Sequence, residues 1–224
     1  MNIIRTSVNG ISSLGAFGLA TDRFAIISEL WPDKSVEAIE KALEVPVIKT
    51  NIADTALVGI LLAANSNGVV LPRIVNDRDI NNIKEGLEDD IKIGIVSSNI
   101  TCLGNCILAN KNGAIVHEKI ESSTMSIIQD TLDVEVEKGN IIKSPLVGSH
   151  ALATDRGVIA HPLTTELELT WLSERLGVPA NVGTINRGVP YVSVGFFANS
   201  RGAIAGKDTT GPELQRLFQT LKGM

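Results

Sequence analysis

The sequence predicts an α/β fold, of the α+β kind, in which five ββα units form a closed ring with strands inside and helices outside. Five helical leucines recur 44, 45, 44 and 45 residues apart, at Leu43, Leu87, Leu132, Leu176 and Leu221. A fixed period of this length is typical of repeat architectures. Because the 224 residues divided by five give 44.8, the repeats occupy the whole chain. We therefore expect a single domain over residues 1–224.

The second unit shows the order of elements within one repeat. Residues 46–52 have the character of a strand, and residues 57–64 form a continuous apolar run that favours a strand buried on both faces. The turn sequence at 65–68 predicts a hairpin that returns through 69–71. Residues 76–87 have apolar positions three and four apart, which indicates an amphipathic helix. Each unit is therefore a strand, a hairpin and a helix.

The remaining units repeat these positions. Thr165 with Glu168, and Thr210 with Glu213, have the spacing of a capping box, which predicts the starts of the last two helices. Small residues let backbones approach closely, as strands near the axis of a ring require. One column before the middle strand is small in every unit: Gly15, Gly59, Gly104, Gly148 and Ser193.

The order of elements at the two ends predicts that the ring closes. Every internal helix is followed by the first strand of the next unit, but no strand follows the last helix near Leu221. Conversely, the first strand, at residues 3–8, has no helix before it. A linear solenoid would need polar capping repeats, and none is visible. Pairing the first strand with the last unit would complete the ring, and a ring with protected edges should be a monomer.

Composition and charge limit the classes of function. The chain is 44% hydrophobic and 20% charged, with a net charge of −5, which is a globular composition. It lacks the basic face of proteins that bind nucleic acids through phosphates, so we expect no DNA partner. The longest apolar run, near 56–64, is too short to cross a membrane. We expect a cytoplasmic protein with no membrane partner.

The sequence offers little support for a disulfide, a metal site or a cofactor. If Cys102 and Cys106 lie on one strand, about 3.3 Å per residue separates their Cα atoms by roughly 13 Å, beyond disulfide reach. We interpret both as small buried hydrophobic residues. His117 and His161 share a column but lack cysteine or carboxylate neighbours, which is a weak metal signal. We predict no metal site and no cofactor.

One column departs from the apolar pattern of its neighbours. In a ring, its members would cluster at one mouth of the axis, where five equivalent positions could form a docking surface. The alternative is that Asn105 and Ser149 cap local turns, as short polar residues often do, and the residues alone leave both interpretations open. The column consists of Ala16, Ile60, Asn105, Ser149 and Val194.

The next column places Cys106 and His150 in adjacent units. A cysteine and a histidine can form a thiolate–imidazole pair for nucleophilic catalysis. No acidic residue in the column would orient the histidine, so packing in a tight core is the favoured interpretation.

An ordered set of motifs now points to a family. From Ile3 to Leu221 the chain resembles the translation initiation factor 6 family. Because it ends just after the fifth helix, it resembles the archaeal type, which lacks the regulatory tail of the eukaryotic type. The motifs are Leu-Gly-Asn at 103–105 with Ala-Asn at 109–110, Leu-Val-Gly-Ser at 146–149, Gly157 with His161-Pro162, Gly-Thr-Ile-Asn-Arg-Gly at 183–188, and Asp-Thr-Thr-Gly at 208–211 with Glu213-Leu214.

The resemblance implies the five-bladed pentein ring and a protein that is not an enzyme. It implies an anti-association factor that binds the large ribosomal subunit and sterically prevents its association with the small subunit, with a role in subunit biogenesis. Docking would be mainly onto a ribosomal protein, with a minor contact to ribosomal RNA. Asn105 matches a position on the family's ribosome-facing surface, and we expect the ribosome-binding site to comprise Asn105, Ile60, Ser149 and Gly104. Ile60 is apolar where the eukaryotic type has a basic residue.

An enzymatic alternative comes from the same fold. The pentein ring also hosts guanidino-modifying hydrolases and transferases, which use a cysteine nucleophile with histidine and acidic partners. Cys106 and His150 would be the candidates in this chain. The nucleophile of those enzymes lies near the C-terminal end, whereas the last two repeats contain no cysteine. Because fold does not imply function, the geometry of the site has to distinguish the anti-association factor from the enzyme.

Overall fold

Five three-stranded sheets surround a common axis in the computed structural model, which describes residues 2–222. Residues 1, 223 and 224 of the predicted domain lie outside that range. Each sheet has an inner hairpin and an outer strand, in the orders β2-β3-β4, β5-β6-β7, β8-β9-β10, β11-β12-β13 and β14-β15-β1, here called the first to fifth sheets. The strands are β1 Asn2–Thr6, β2 Gly18–Ala20, β3 Ala25–Ile27, β4 Val47–Lys49, β5 Ala63–Asn65, β6 Gly68–Pro72, β7 Lys92–Val96, β8 Ile107–Ala109, β9 Ala114–His117, β10 Val136–Gly139, β11 Ala151–Ala153, β12 Val158–Ala160, β13 Ala180–Val182, β14 Phe196–Ala198 and β15 Gly202–Gly206.

The first strand closes the ring, as the order of elements predicts. In each sheet the inner pair is antiparallel, and the strand that follows the long helix pairs parallel with the returning strand of the hairpin. In the fifth sheet that outer position is taken by β1, which pairs with β15 from Asn2↔Gly202 to Thr6↔Gly206. The closed ring of five repeated units is therefore confirmed, with the leading strand of each repeat belonging to the preceding sheet.

Five long helices lie outside the sheets. Their leucines face inward, and four of the five that define the period are fully buried: Leu43, Leu132, Leu176 and Leu221. Both predicted capping boxes are present, and a third joins Asn76 to Asp79. The long helices are α1 Asp33–Leu43, α3 Asp77–Gly86, α5 Ser122–Leu132, α7 Glu166–Leu176 and α9 Gly211–Leu221.

The predicted strand at 57–64 is wrong in its first half. That run forms a short helical turn followed by the inner strand β5, and every unit has such a turn. The run is apolar because the turn and the strand both pack near the axis. A continuous apolar run shows no 3.6-residue period, so the helical turn could not be told from a strand. The five short helices are the 3₁₀ turn Leu14–Phe17, α2 Val58–Leu61, α4 Leu103–Cys106, α6 Val147–His150 and α8 Val192–Gly195.

The small column brings the short helices together at the axis. A Cβ on Gly15 would overlap the carbonyl oxygen of Ser193, and one on Gly59 would overlap that of Gly15. The same contact recurs from Gly104 to Gly59 and from Gly148 to Gly104. Glycine is required here by this close approach of backbones. Below the short helices, the inner strands enclose an axial cavity of about 100 Å³.

At the opposite end of the axis, asparagines join three of the five hairpins to the next unit by hydrogen bonds. The Oδ1 of Asn110 accepts hydrogen bonds from its own hairpin, at Asn112 and Gly113. Its Nδ2 donates to the carbonyl oxygens of Thr154 and Leu176 in the next unit, at 3.1 and 2.8 Å. Asn65 and Asn199 do the same, whereas Thr21 and Thr154 occupy the position in the first and fourth sheets. One side chain therefore stabilises both a turn and an interface.

Within residues 2–222, no helix combines the length and the apolar character needed to span a bilayer.

Candidate functional site

The short helices form a continuous ring at one mouth of the axis. Each contacts the next, and the last, α8, contacts the first turn at Leu14–Phe17. The candidate column lies on these helices, whereas the sequence predicted a strand at this position. We use the name short-helix face for the third residue of each helix together with the residue that precedes the helix. Its members are Ser13 and Ala16, Leu57 and Ile60, Cys102 and Asn105, Leu146 and Ser149, and Tyr191 and Val194.

The four predicted site residues differ in what they offer a partner. Asn105 and Ile60 are half-buried, so each presents part of a side chain at the mouth. Ser149 is only 7% exposed, and its carbonyl oxygen accepts a hydrogen bond from the Ser193 hydroxyl. Gly104 has no side chain and packs against the Gly59 carbonyl. Asn105 and Ile60 are therefore the two whose side chains are available for contact.

Large apolar side chains surround that mouth, and sequence reasoning missed them. Leu57 is 40% exposed, Leu146 is 38% exposed and Tyr191 is 48% exposed. Each stands immediately before a short helix, at the position that Cys102 and Ser13 occupy in the other units. The repeat alignment of the sequence also contains this column of polar and apolar residues. Its leucines look like core residues in the sequence, because their exposure becomes evident only once the helical turn that follows them is recognised.

Tight turns beside the short helices are held by carboxylates. Ile142 and Lys143 both have positive φ, of 50° and 59°, an uncommon conformation that is an outlier for the β-branched Ile142. The amide of Ile142 donates to Glu168 Oε1 at 2.7 Å, and the same carboxylate caps the start of α7. Burial alone would raise the pKa of Glu168, but hydrogen bonds from Thr165 and Ile142 hold its pKa below its usual range.

Glu213 has the same double role in the fifth unit. It caps α9 and accepts hydrogen bonds from the amides of Arg187 and Gly188 and from the hydroxyl of Thr184. Burial would raise its pKa, but these hydrogen bonds and those from Thr210 keep the pKa lowered. The carboxylates thus fix the loops that border the short-helix face.

An aromatic cluster lies where the fourth unit meets the fifth. The rings of His150 and Tyr191 stack with centroids 5.4 Å apart, and His161 stands edge-on to both. His150 is 4% exposed, and its Nδ1 has no hydrogen-bond partner within residues 2–222. Burial lowers the pKa of His150, with a further lowering from His161. Burial also lowers the pKa of His161, so the neutral form of both rings is favoured.

The two cysteines lie together, contrary to the expectation of a 13 Å separation. Cys102 precedes α4 and Cys106 ends it, so the helical turn brings their Sγ atoms to 3.8 Å. The expectation rested on a strand at this position. Burial raises the pKa of Cys106 to about 12, and Cys102 adds to that shift. An activated nucleophile needs the opposite shift, so the raised pKa of Cys106 does not support the catalytic interpretation of Cys106 and His150.

Comparison with known proteins assigns the family. The model of the eIF-6 family matches residues 3–220 of the chain. The chain belongs to the eIF-6 family. The match runs from β1 to α9, so it covers all five sheets and all five short helices of the ring.

Relatives in this family have nearly the same length as this chain. Translation initiation factor 6 of Methanococcus vannielii is 38% identical over 223 residues, which cover 98% of each chain. Translation initiation factor 6 of Pyrococcus horikoshii is 39% identical over 224 residues, with 99% of each chain covered. That of Methanocaldococcus jannaschii is 38% identical over 216 residues, with 95% of this chain and 94% of the relative covered. The likeness to the archaeal type is confirmed, and the family is one of translation factors.

The part of the chain that the structure describes contains no group of three or more histidine, cysteine, aspartate or glutamate side chains that could hold a metal ion.

Proposed function

We propose that this chain binds the large ribosomal subunit through the short-helix face and sterically prevents the small subunit from joining it. The observation that carries the proposal is the match to the eIF-6 family over residues 3–220. The ring of short helices supports it, because it presents one rigid face formed by all five units. No bond would be made or broken, and the protein would not be an enzyme.

The chemistry of the face favours a protein as the main contact. Exposed Leu57, Leu146 and Tyr191 surround the half-buried Asn105 and Ile60. Protein interfaces are enriched in aromatic residues and depleted of charge at their centres. With a net charge of −5, the chain would make only a minor contact with ribosomal RNA. Ser149 and Gly104 would contribute through their backbones.

Several further properties belong to the same proposal. The chain would act as a monomer formed by one domain over residues 1–224, in the cytoplasm, with a role in the biogenesis of the large subunit. Size-exclusion chromatography tests the monomer. A second copy seated on the short-helix face would contradict it.

Sedimentation of ribosomal subunits tests the function directly. Small and large subunits are mixed with and without stoichiometric protein and separated on a gradient. We expect the protein to travel with the large subunit and the joined particle to decrease. Unchanged joining at stoichiometric protein would refute the proposal.

A charge-matched pair of variants tests the site. Asn105→Glu introduces a carboxylate at the mouth, whereas Gln129→Glu introduces one on the exposed outer surface of α5. We expect Asn105→Glu to weaken co-sedimentation with large subunits by about tenfold or more, as about 1.4 kcal/mol of binding free energy implies. Gln129→Glu should bind like the unmodified chain. Equal binding by both variants would remove Asn105 from the interface.

A further inference from the structure

Two thiols stand within contact distance on the short-helix face. Cys102 is half-buried, Cys106 is buried, and their Sγ atoms are 3.8 Å apart. The amide of Asn105 donates to the Cys102 carbonyl at 3.1 Å, so the helical turn begins at Cys102 and folds the two thiols towards each other. The S–S bond of a disulfide is about 2.0 Å long. The two sulfurs would therefore have to approach each other by about 1.8 Å, from 3.8 Å, to form one.

We propose that Cys102 and Cys106 form a site of reversible thiol modification that reacts with low-molecular-weight disulfides and closes to an intramolecular disulfide. Regulation of docking by this site rests on the proposed function, whereas the chemistry does not. The substrate class is a small symmetric disulfide, such as glutathione disulfide.

The exchange proceeds in two balanced steps. The thiolate of Cys102, the more exposed sulfur, attacks one sulfur of the small disulfide and forms a mixed disulfide. The other small-molecule sulfur leaves as a thiolate and takes up a proton. Cys106 then loses its proton to solvent and attacks Cys102 Sγ, which expels the second small thiol. Two protein thiols are oxidised to one disulfide, and the small disulfide is reduced to two thiols.

The two steps should differ in rate. In the dithiol form the pKa of Cys106 is raised to about 12, chiefly by burial, and burial still raises this pKa once Cys102 carries the adduct. Only the thiolate is nucleophilic, so the second step is slow at neutral pH and accelerates as pH rises. The mixed disulfide at Cys102 should therefore be the first product to accumulate.

The site lies where modification would alter docking. Cys102 occupies the same position as the exposed Leu57, Leu146 and Tyr191, and Asn105 follows it on the same helical turn. A small-molecule adduct on Cys102 would stand at the mouth beside Asn105. Closure to Cys106 would move the Cys102 side chain away from its place in the face.

Mass spectrometry of the full chain tests the chemistry. The reduced protein is incubated with glutathione disulfide at neutral and at alkaline pH, and the remaining thiols are counted with a maleimide. We expect a glutathione adduct first, then a species that has lost two hydrogens and both reactive thiols, which appears faster at alkaline pH. A chain that stays reduced, or that carries only a stable adduct at both pH values, would overturn the proposal.

Two variants assign the roles of the thiols. Cys102→Ser copies the residue at the equivalent position of the first unit, Ser13, and should give no disulfide and little adduct. Cys106→Ala is expected to fold, since the fifth unit has Gly195 at this position, and it should stop at the adduct. An adduct on Cys106 in the Cys102→Ser variant, at the unmodified rate, would contradict the assignment.

Co-sedimentation with large ribosomal subunits then separates the two proposals. We expect reduced protein to bind and both the adduct and the disulfide form to lose co-sedimentation, with recovery after reduction by dithiothreitol. If reduced protein does not bind while the disulfide forms, the proposed function fails and the thiol site stands. If all forms bind equally, the regulatory consequence is overturned.

Discussion

The ring has two neighbouring interfaces that are joined by different means. At the closing interface, between the fifth and first units, Asn199 Nδ2 donates to the carbonyl oxygens of Thr21 and Leu43 at 2.9 and 2.8 Å. At the interface between the fourth and fifth units, Thr154 holds the equivalent position. Its hydroxyl bonds only within its own hairpin, to the carbonyl of Gly157 at 3.2 Å.

Further polar groups lie at both interfaces. The closing interface adds the hydrogen bond of the Ser200 amide to Asp22 and that of Arg5 to the Thr209 carbonyl. At the fourth–fifth interface, the inner strands β11 and β14 make sparser contact than the other neighbouring pairs. Within residues 2–222, His150 Nδ1 and Thr220 Oγ1 are buried there without a hydrogen-bond partner, and Ser200 Oγ is likewise unpartnered at the closing interface.

Distance along the chain sets the closing interface apart, but it does not by itself explain which interfaces use an asparagine. The contact of Asn199 with the first unit joins residues 178 positions apart, and bringing such segments together has an entropic cost that grows with loop length. Asn65 and Asn110 make the same hydrogen bonds between units that are neighbours in sequence. At the fourth–fifth interface, the aromatic cluster and the hydrogen bond from the Ser193 hydroxyl to the Ser149 carbonyl join the two units.

The largest effect is expected from Gly15→Ala at the closing interface. The added Cβ would overlap the carbonyl oxygen of Ser193, and a backbone atom cannot rotate away. Overpacking usually costs about 1–3 kcal/mol and sometimes more, so we expect a loss of about 3 kcal/mol or greater. Urea denaturation, followed by circular dichroism, measures the free energy of unfolding.

Ser193→Ala is the matched control at the fourth–fifth interface. That position already holds a Cβ, so only the hydrogen bond from its hydroxyl to the Ser149 carbonyl, at 3.0 Å, is lost. A typical hydrogen bond contributes about 1 kcal/mol. If Gly15→Ala were as mild as Ser193→Ala, the glycine column would not be what holds the short helices together.

The sequence predicted the ring because its signals repeat. The period of Leu43 and its equivalents, the small column of Gly15 and the missing partner of β1 each follow from packing that recurs five times. The short helices were not predicted, because a turn of four residues is too short to show a 3.6-residue period. That one error also misplaced Cys102 relative to Cys106 by assigning them to a strand.

The candidate site was predictable only as a set of positions. The period placed Asn105 and Ile60 at one mouth, but it carried no information on exposure, which left Ser149 indistinguishable from them. Exposure depends on how far each short helix tilts against its neighbours. The sequence shows that Asn199 and Thr154 differ at equivalent positions. Only the structure shows why this matters, because it identifies the Leu43 carbonyl as the acceptor of the Asn199 amide.

An intermediate effect is expected from Asn199→Ala. The substitution removes two hydrogen bonds to the first unit and two that Oδ1 accepts from the amides of Arg201 and Gly202. At about 0.5–1 kcal/mol for each of the four bonds, the lower half of the usual range, we expect a loss of about 2–4 kcal/mol in the free energy of unfolding. Urea denaturation of the variant measures it.

The reciprocal substitution, Thr154→Asn, sharpens the comparison. It would give the fourth–fifth interface the amide donor that it lacks, directed at the end of α9. We expect a gain of up to about 1 kcal/mol. Thr154→Ala, which loses only bonds within its hairpin, should cost less than Asn199→Ala. Equal losses would show that the contacts across the closing interface add nothing beyond the turn.

The smallest effect is expected from acidification, and it should act on the fourth–fifth interface. Burial, aided by His161, lowers the pKa of His150 below its usual value of 6.5. Below about pH 6.5 the unfolded chain therefore binds more protons than the folded one, and stability falls as the pH is lowered towards the pKa of the folded state. His117 and His161 have lowered pKa values too, so urea midpoints should fall with pH in the unmodified chain.

His150→Phe copies Phe17 of the first unit and removes the titrating ring from the cluster. The dependence of the urea midpoint on pH should weaken in this variant without disappearing, because His117 and His161 still titrate. Tyr191, the chain's single tyrosine, stacks on His150 and provides a local probe. Its ring proton shifts should change on acidification in the unmodified chain, whereas backbone amides around Asn199 should not. Simultaneous changes at both places would mean that the two interfaces open together, because the fifth unit, which both interfaces share, would have carried the disturbance from one to the other.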